Sequence, residues 1–272
     1  MQPTTDLWPS QARHWHLLGP PLRPSRDDVA IVEGVVRALL ATPRVLLLGV
    51  TPELATLAWP PGTELAAVDR CAGMIGAVWP SSGTPAGARA VQGDWRALPI
   101  DDASVDLVLG DAVMTLLAFP HDTEALFTEV HRVLRPEGRF VVRALVPHGT
   151  REDVSGVSRD LLAGRIGSLH AFKVRLLMAL HPSPEQGTRL ADAWDAWQAV
   201  APDPRALATE LGWKLEALAT IAVYRDSPVV YAFPTVEELD VIARRAHLAR
   251  DAVQVPRYEL GDRCPTITWR KR

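Results

Sequence analysis

Five short strand-like runs constrain this chain more than any other feature. They cover residues 45–48, 64–68, 88–92, 105–109 and 139–145, and the first four close on Gly49, Asp69, Gly93-Asp94 and Gly110-Asp111. Helical patterns lie between them. Ser25 is placed to cap a helix starting at Arg26, with Ile31, Val35, Val36 and Leu39 as its apolar stripe and Pro43 as its stop. Pro52 suits the first turn of a second helix, capped by Thr51 and closing near Trp59-Pro60. Residues 74–79 and 123–134 complete the series. The run 45–48 is wholly apolar, as a central parallel strand covered on both faces must be. Strand and helix alternating at this spacing predict an α/β fold with a doubly wound, mostly parallel sheet. Ligands of such sheets bind beyond the carboxyl ends of the strands, where Asp69, Asp94 and Asp111 fall.

Composition removes several classes of function. A hydrophobic fraction of 47% in 272 residues supplies a large core, and a net charge of -3 offers no general attraction for nucleic acid. Cys71 and Cys264 stand far apart with no second ligand pattern, so neither a disulfide framework nor a metal site is expected. No apolar run reaches spanning length, and the N-terminus lacks a basic segment followed by an apolar one. The expectation is a cytoplasmic protein with no membrane partner.

Beyond residue 145 the pattern changes. Residues 152–182 read as helical, 188–213 as two further helices and 236–250 as another, with strand candidates at 215–224 and 258–269. The late strands are expected to finish the sheet, and the helices before them to lie over the strand ends.

The order of these pieces resembles a known family. Gly49 follows the first strand, Asp69 ends the second, Gly93-Asp94-Trp95 follows the third, VDLVLGD (105–111) forms the fourth, and EVHRVLRPEGRFVVR (129–143) is a helix, turn and strand. Together they are similar to the class I S-adenosylmethionine (SAM)-dependent methyltransferases over roughly residues 40–146. The residue patterns predict an N-terminal strap over the pocket at 1–26, a helical cap at 151–214 and a sheet-completing segment at 215–272; the resemblance implies a SAM-binding Rossmann-like core at 27–150. It also implies SAM as cofactor. Asp69 would accept hydrogen bonds from the ribose hydroxyls, Asp94 and Trp95 would meet the adenine, and Gly110 and Asp111 would floor the pocket. Asp69 and Asp94 also read as ordinary turn or capping aspartates.

The first turn departs from the family. After Gly49 it reads Val-Thr-Pro-Glu, with Leu47 where the family carries an acid and no second or third glycine. A pyrophosphate needs those glycines for close approach, which argues against an NAD(P)-dependent oxidoreductase. SAM has no phosphate, and Glu53 can stand in for the missing acid toward its ammonium, or serve only as a first-turn charge. Base candidates are His16 in the proline-bounded segment RHWHLLGPPLRPS and His170 on a helical face with Lys173; Tyr224, Arg225 and Tyr231 form a third cluster. The expected activity is methyl transfer to a small-molecule acceptor. A non-catalytic SAM-fold module is the competing class, and the Trp-rich terminus leaves room for a homodimer.

Overall fold

The computed structural model describes residues 7–39, 42–147 and 149–272; residues 1–6 of the expected strap lie outside it. The strands are β1 (Arg44–Leu48), β2 (Glu64–Asp69), β3 (Arg89–Gln92), β4 (Val105–Asp111), β5 (Leu134–Arg143), β6 (Thr188–Arg189), β7 (Val230–Tyr231), β8 (Leu248–Gln254) and β9 (Thr266–Lys271). The helices are α1 (Leu7–Arg13), α2 (Arg26–Val36), α3 (Pro52–Ala55), α4 (Ala72–Val78), α5 (His121–Val133), α6 (Val154–Leu162), α7 (Leu169–Leu180), α8 (Leu190–Val200), α9 (Pro204–Glu210), α10 (Ala219–Ala222) and α11 (Val236–Arg245).

Seven strands form one sheet in the order β3-β2-β1-β4-β5-β9-β8. The first five in this row are parallel, and β9 and β8 add an antiparallel edge. The doubly wound α/β fold read from the sequence is the fold observed. Alternation along β1 shows why its residues are all apolar. Leu46 and Leu48 enter the core under α5 and α11, while Val45 and Leu47 enter the core under α2, α3 and α4. On the first face Phe127 packs edge-on against Phe140 (5.4 Å) and Trp269 (5.2 Å), locking α5 onto β5 and β9. The Trp269 indole N–H donates to Asp240 of α11 at 2.9 Å, so the buried ring leaves no polar group unpaired. Ser25 caps α2 in a reciprocal capping box with Asp28.

The C-terminal half differs from its sequence reading in several places. Residues 152–182 form two helices, with Asp153 capping α6 and Ser168 capping α7. The strand expected at 215–224 is a 3-10 turn, Leu215–Leu218, running into α10. Of 258–269 only the end is strand, because a 3-10 turn at Gly261–Arg263 precedes β9. The helix expected to 250 stops at Arg245, where His247 takes a positive φ of 57° and turns the chain into β8. Near the first turn, α3 ends at Ala55 instead of reaching Trp59. A third apolar core, built on α7 and α8, makes the cap: Phe172 and Trp197 lie 5.4 Å apart in it. Among the described residues no helix is long and apolar enough to cross a membrane.

Candidate functional site

The strand order reverses between β1 and β4, and a cavity of about 190 Å³ opens beyond the ends of β1 to β4. Gly49, Asp69, Asp94, Trp95 and Asp111 line it, as do Arg70, Cys71 and Arg96. The strap closes it with Trp8, Gln11, Trp15, Leu18 and Leu22, and the cap with Tyr224, Val229 and Tyr231, which pack on the α7–α8 core and so extend the cap beyond its expected boundary at 214.

Each strand-end residue has a local cause. Gly49 has a φ of +87°, a conformation that side chains resist. Its N–H donates to the Val68 carbonyl at 2.8 Å, which ties the end of β1 to β2. The Trp95 indole N–H donates to the same carbonyl at 2.7 Å. The ring therefore lies as a wedge across the strand ends, 3.7 Å from where a Gly49 Cβ would stand, with Asp69 Oδ2 3.8 Å away on the other side. Asp69 Oδ1 accepts from the Cys71 N–H at 2.8 Å. Burial pushes the Asp69 carboxyl above its ordinary value, with the Cys71 bond opposing. Asp94 is held by Arg96, whose Nε and Nη2 donate at 3.0 and 2.6 Å. The guanidinium keeps the Asp94 carboxyl below the usual range and also pairs with Asp122 of α5 at 3.0 Å.

Asp111 ends β4 and pairs with Arg143, which ends β5, at 2.6 Å; both side chains are buried. Burial drives the Asp111 carboxyl upward, and the guanidinium pulls it back. Arg143 Nη1 also donates to the Pro21 carbonyl of the strap at 2.7 Å. An arginine closing the apolar run FVVR was a visible signal of a buried ion partner at a strand end, and the sequence reading passed over it.

Four expected site residues take other places. Glu53 does not line the cavity; its Oε1 accepts from Arg23 Nε at 2.7 Å, and Arg23 stacks over Trp15 at 5.2 Å. Its carboxylate therefore clamps the strap, and the four-residue α3 has too small a dipole to need it as a helix-end charge. Gly110 is buried away from the cavity, where a Cβ would meet Val113 Cγ1 at 3.0 Å, so packing under the loop after β4 demands it. His170 is buried with Nε2 against the Leu17 carbonyl at 2.9 Å, and burial lowers its pKa to about 4. It anchors the strap as a neutral imidazole. His16 is exposed on the strap's 3-10 turn, Trp15–Leu17, and neither histidine lines the cavity. Lys173 lies behind Tyr224, its Nζ 4.5 Å from the ring centroid and donating to the Thr220 carbonyl at 2.7 Å. Burial lowers its pKa to about 7.

A family model described as a methyltransferase domain matches residues 46–142, the segment from β1 to β5 that builds the strand-end wall. That segment is similar to a methyltransferase domain, as the sequence resemblance implied. Solved structures share the fold of the whole chain. A putative methyltransferase of Haloferax volcanii, in complex with the Trm112 methyltransferase activator, is 13% identical over 98% of each chain with a TM-score of 0.57. A SAM-dependent methyltransferase from Methanosarcina mazei is 16% identical over 92% of this chain and 99% of that one, with a TM-score of 0.53. The 1,6-didemethyltoxoflavin-N1-methyltransferase of Burkholderia thailandensis, with bound 1,6-didemethyltoxoflavin and S-adenosylhomocysteine, is 17% identical over 90% of this chain and 77% of that one, with a TM-score of 0.50.

The residues at the strand ends fit SAM, the cofactor that the resemblance implies. Asp69 offers a half-buried carboxylate beside the open backbone of Gly49, a pairing suited to a neighbouring pair of hydroxyls. Gln11 Oε1 and Trp15 Nε1 of the strap are buried without hydrogen-bond partners, and both residues line the cavity. Buried groups of this kind carry a desolvation cost that a bound polar ligand removes.

Proposed function

We propose that this methyltransferase acts on a small-molecule acceptor enclosed between the strand ends and the strap and cap. The observation that supports this reading is the cavity itself: Asp69, Asp94 and Asp111 line it together with residues of the strap and cap, leaving a partly covered cleft suited to a small ligand. Asp69 is assigned to the ribose hydroxyls. Asp94, fixed by Arg96, is assigned to the adenine amine, with the Trp95 backbone N–H toward a ring nitrogen. Bound there, SAM supplies an electrophilic sulfonium methyl; the acceptor atom gains it as the S–CH3 bond breaks, leaving S-adenosylhomocysteine. The protein's part is to orient the acceptor, exclude water and take the proton that the acceptor loses.

Asp111 is the carboxylate assigned to that proton. It lines the cavity where the two walls meet, and burial raises its proton affinity. Arg143 restrains the rise, so the group can accept a proton and release it to solvent once product leaves. One of the solved structures similar to this chain carries a small heterocycle together with S-adenosylhomocysteine, in keeping with an acceptor of that size.

Calorimetric titration with SAM, S-adenosylhomocysteine and NADH tests the reading. Micromolar binding of both SAM compounds and none of NADH is expected. Absence of binding by either SAM compound would sink it and leave the fold as a scaffold without its ligand.

A further inference from the structure

Part of the cavity lining, drawn from the strap, the segments after β4 and β5 and the stretch from α10 to β7, is apolar. Leu22 of the strap, Leu116 after β4, Leu145 after β5, and Val229 between α10 and β7 form it together with Tyr224 and Tyr231. None of these side chains is charged. Besides Gln11 and Trp15 of the strap, three neutral polar groups lie in this lining. Thr115 is 1% exposed and its Oγ1 has no hydrogen-bond partner. Its carbonyl accepts from the Ala232 N–H at 3.1 Å, which sets it beside Tyr231. Burial pushes both tyrosine phenols above their ordinary value, so at neutral pH they are uncharged donors. Lys173 of the cap does not line the cavity and lies behind the Tyr224 ring, 4.5 Å from its centroid.

We propose that the acceptor is an uncharged, ring-sized apolar compound with one neutral hydrogen-bonding group, which pairs with Thr115 while its ring lies against Tyr224 and Tyr231. This rests on the methyltransferase reading above. A lone buried hydroxyl costs about 1–3 kcal/mol, and a ligand hydroxyl or carbonyl at Thr115 removes that cost. A carboxylate or ammonium on the ligand would lose its hydration and find no opposite charge on this wall. Rings of ligand and tyrosine then contribute edge and face contacts.

The test uses 2-naphthol, naphthalene and 2-naphthoate as probes, titrated into the whole protein with and without S-adenosylhomocysteine. Naphthol is expected to bind at least about tenfold more tightly than naphthoate. Thr115→Val should weaken naphthol by about three- to tenfold and leave naphthalene unchanged, since only the hydroxyl is removed. If Thr115→Val does not fold, as judged by its melting transition, Tyr231→Phe takes its place with the same expectation. Naphthoate binding as tightly as naphthol, no naphthol binding, or a naphthol affinity that ignores both hydroxyl deletions would overturn the proposal. Failure of S-adenosylhomocysteine to bind would instead strike the methyltransferase reading, with the probe series still decided on the free protein.

Discussion

The two walls of the cavity are built by different means. The strand-end wall hangs from backbone register: Leu48 stands opposite Val68 on one side and Gly110 on the other, and Gly110 opposite Val142. Gly49, Asp69 and Asp111 follow from that ladder. The strap wall hangs from side chains: Arg23 on Glu53, Arg143 on the Pro21 carbonyl, His170 on the Leu17 carbonyl. A ladder of parallel strands fixes its termini within narrow limits whatever sequence it carries. Side-chain anchors can be exchanged one at a time. On the proposed function, cofactor contacts would fall on the rigid wall and acceptor contacts on the adjustable one.

The sharpest way to break this comparison is at the buried pair Asp111–Arg143, which ties a strand end to the strap. Arg143→Leu leaves Asp111 buried without its partner and frees the Pro21 carbonyl. The expected loss is about 3–5 kcal/mol, read as a fall in melting temperature on the order of 10 °C. A fall under about 2 °C would show that the walls are not coupled there.

Lys173 tests how deeply the cap is buried. Its pKa in the fold is near 7, below the ordinary 10.5, so between these values the unfolded chain binds more protons than the folded one. Stability from this group therefore rises as pH climbs from about 7 to 10.5. Lys173→Met should raise stability at pH 7 by on the order of 2–4 kcal/mol, less whatever the Thr220 bond contributes, and flatten the pH slope. Denaturant melts at pH 7 and 10 check this; an unchanged slope would mean that the ammonium is solvated. His170 acts in the other range: its pKa falls from 6.5 to about 4, so its contribution is lost as pH drops through that window.

Asp69→Ala belongs to the rigid wall alone. S-adenosylhomocysteine affinity should fall more than about tenfold by calorimetry, since charge-assisted hydrogen bonds contribute about 1.5–3 kcal/mol, while the melting temperature of the free protein hardly moves. Equal affinity would remove Asp69 from the cofactor site. The smallest effect is expected from Glu53→Gln, which weakens a partly exposed clamp by under about 1 kcal/mol. Proteolysis within the strap should quicken, with cofactor affinity changed less than about twofold. A tenfold loss of affinity with an unchanged cutting rate would make Glu53 a cofactor ligand after all.

Much of the rigid wall was legible before any coordinates. Apolar runs ending in glycine or aspartate report a buried parallel strand and its exit, because those few residues must satisfy backbone, packing and turn at once. The adjustable wall was harder to read. Leu215, Leu218, Ile221 and Tyr224 recur every third residue, a helical signal that was mistaken for a strand in LEALATIAVY. β8 escaped notice because it is an edge strand whose Arg250, Asp251 and Val253 are exposed, so no alternation marks it.

What the sequence determined by itself is the alternation of strands and helices, the turn at Gly49 and the carboxylates at the strand ends, all set by neighbours close along the chain. Only the tertiary structure decided the partners. Glu53 went to Arg23 and His170 to Leu17, while Asp111 took Arg143, a pair 32 residues apart; the Arg143 contact with Pro21 spans 122. Charges in a forming core are drawn to whichever opposite charge or carbonyl the packing brings within reach, and local pattern carries no record of that choice.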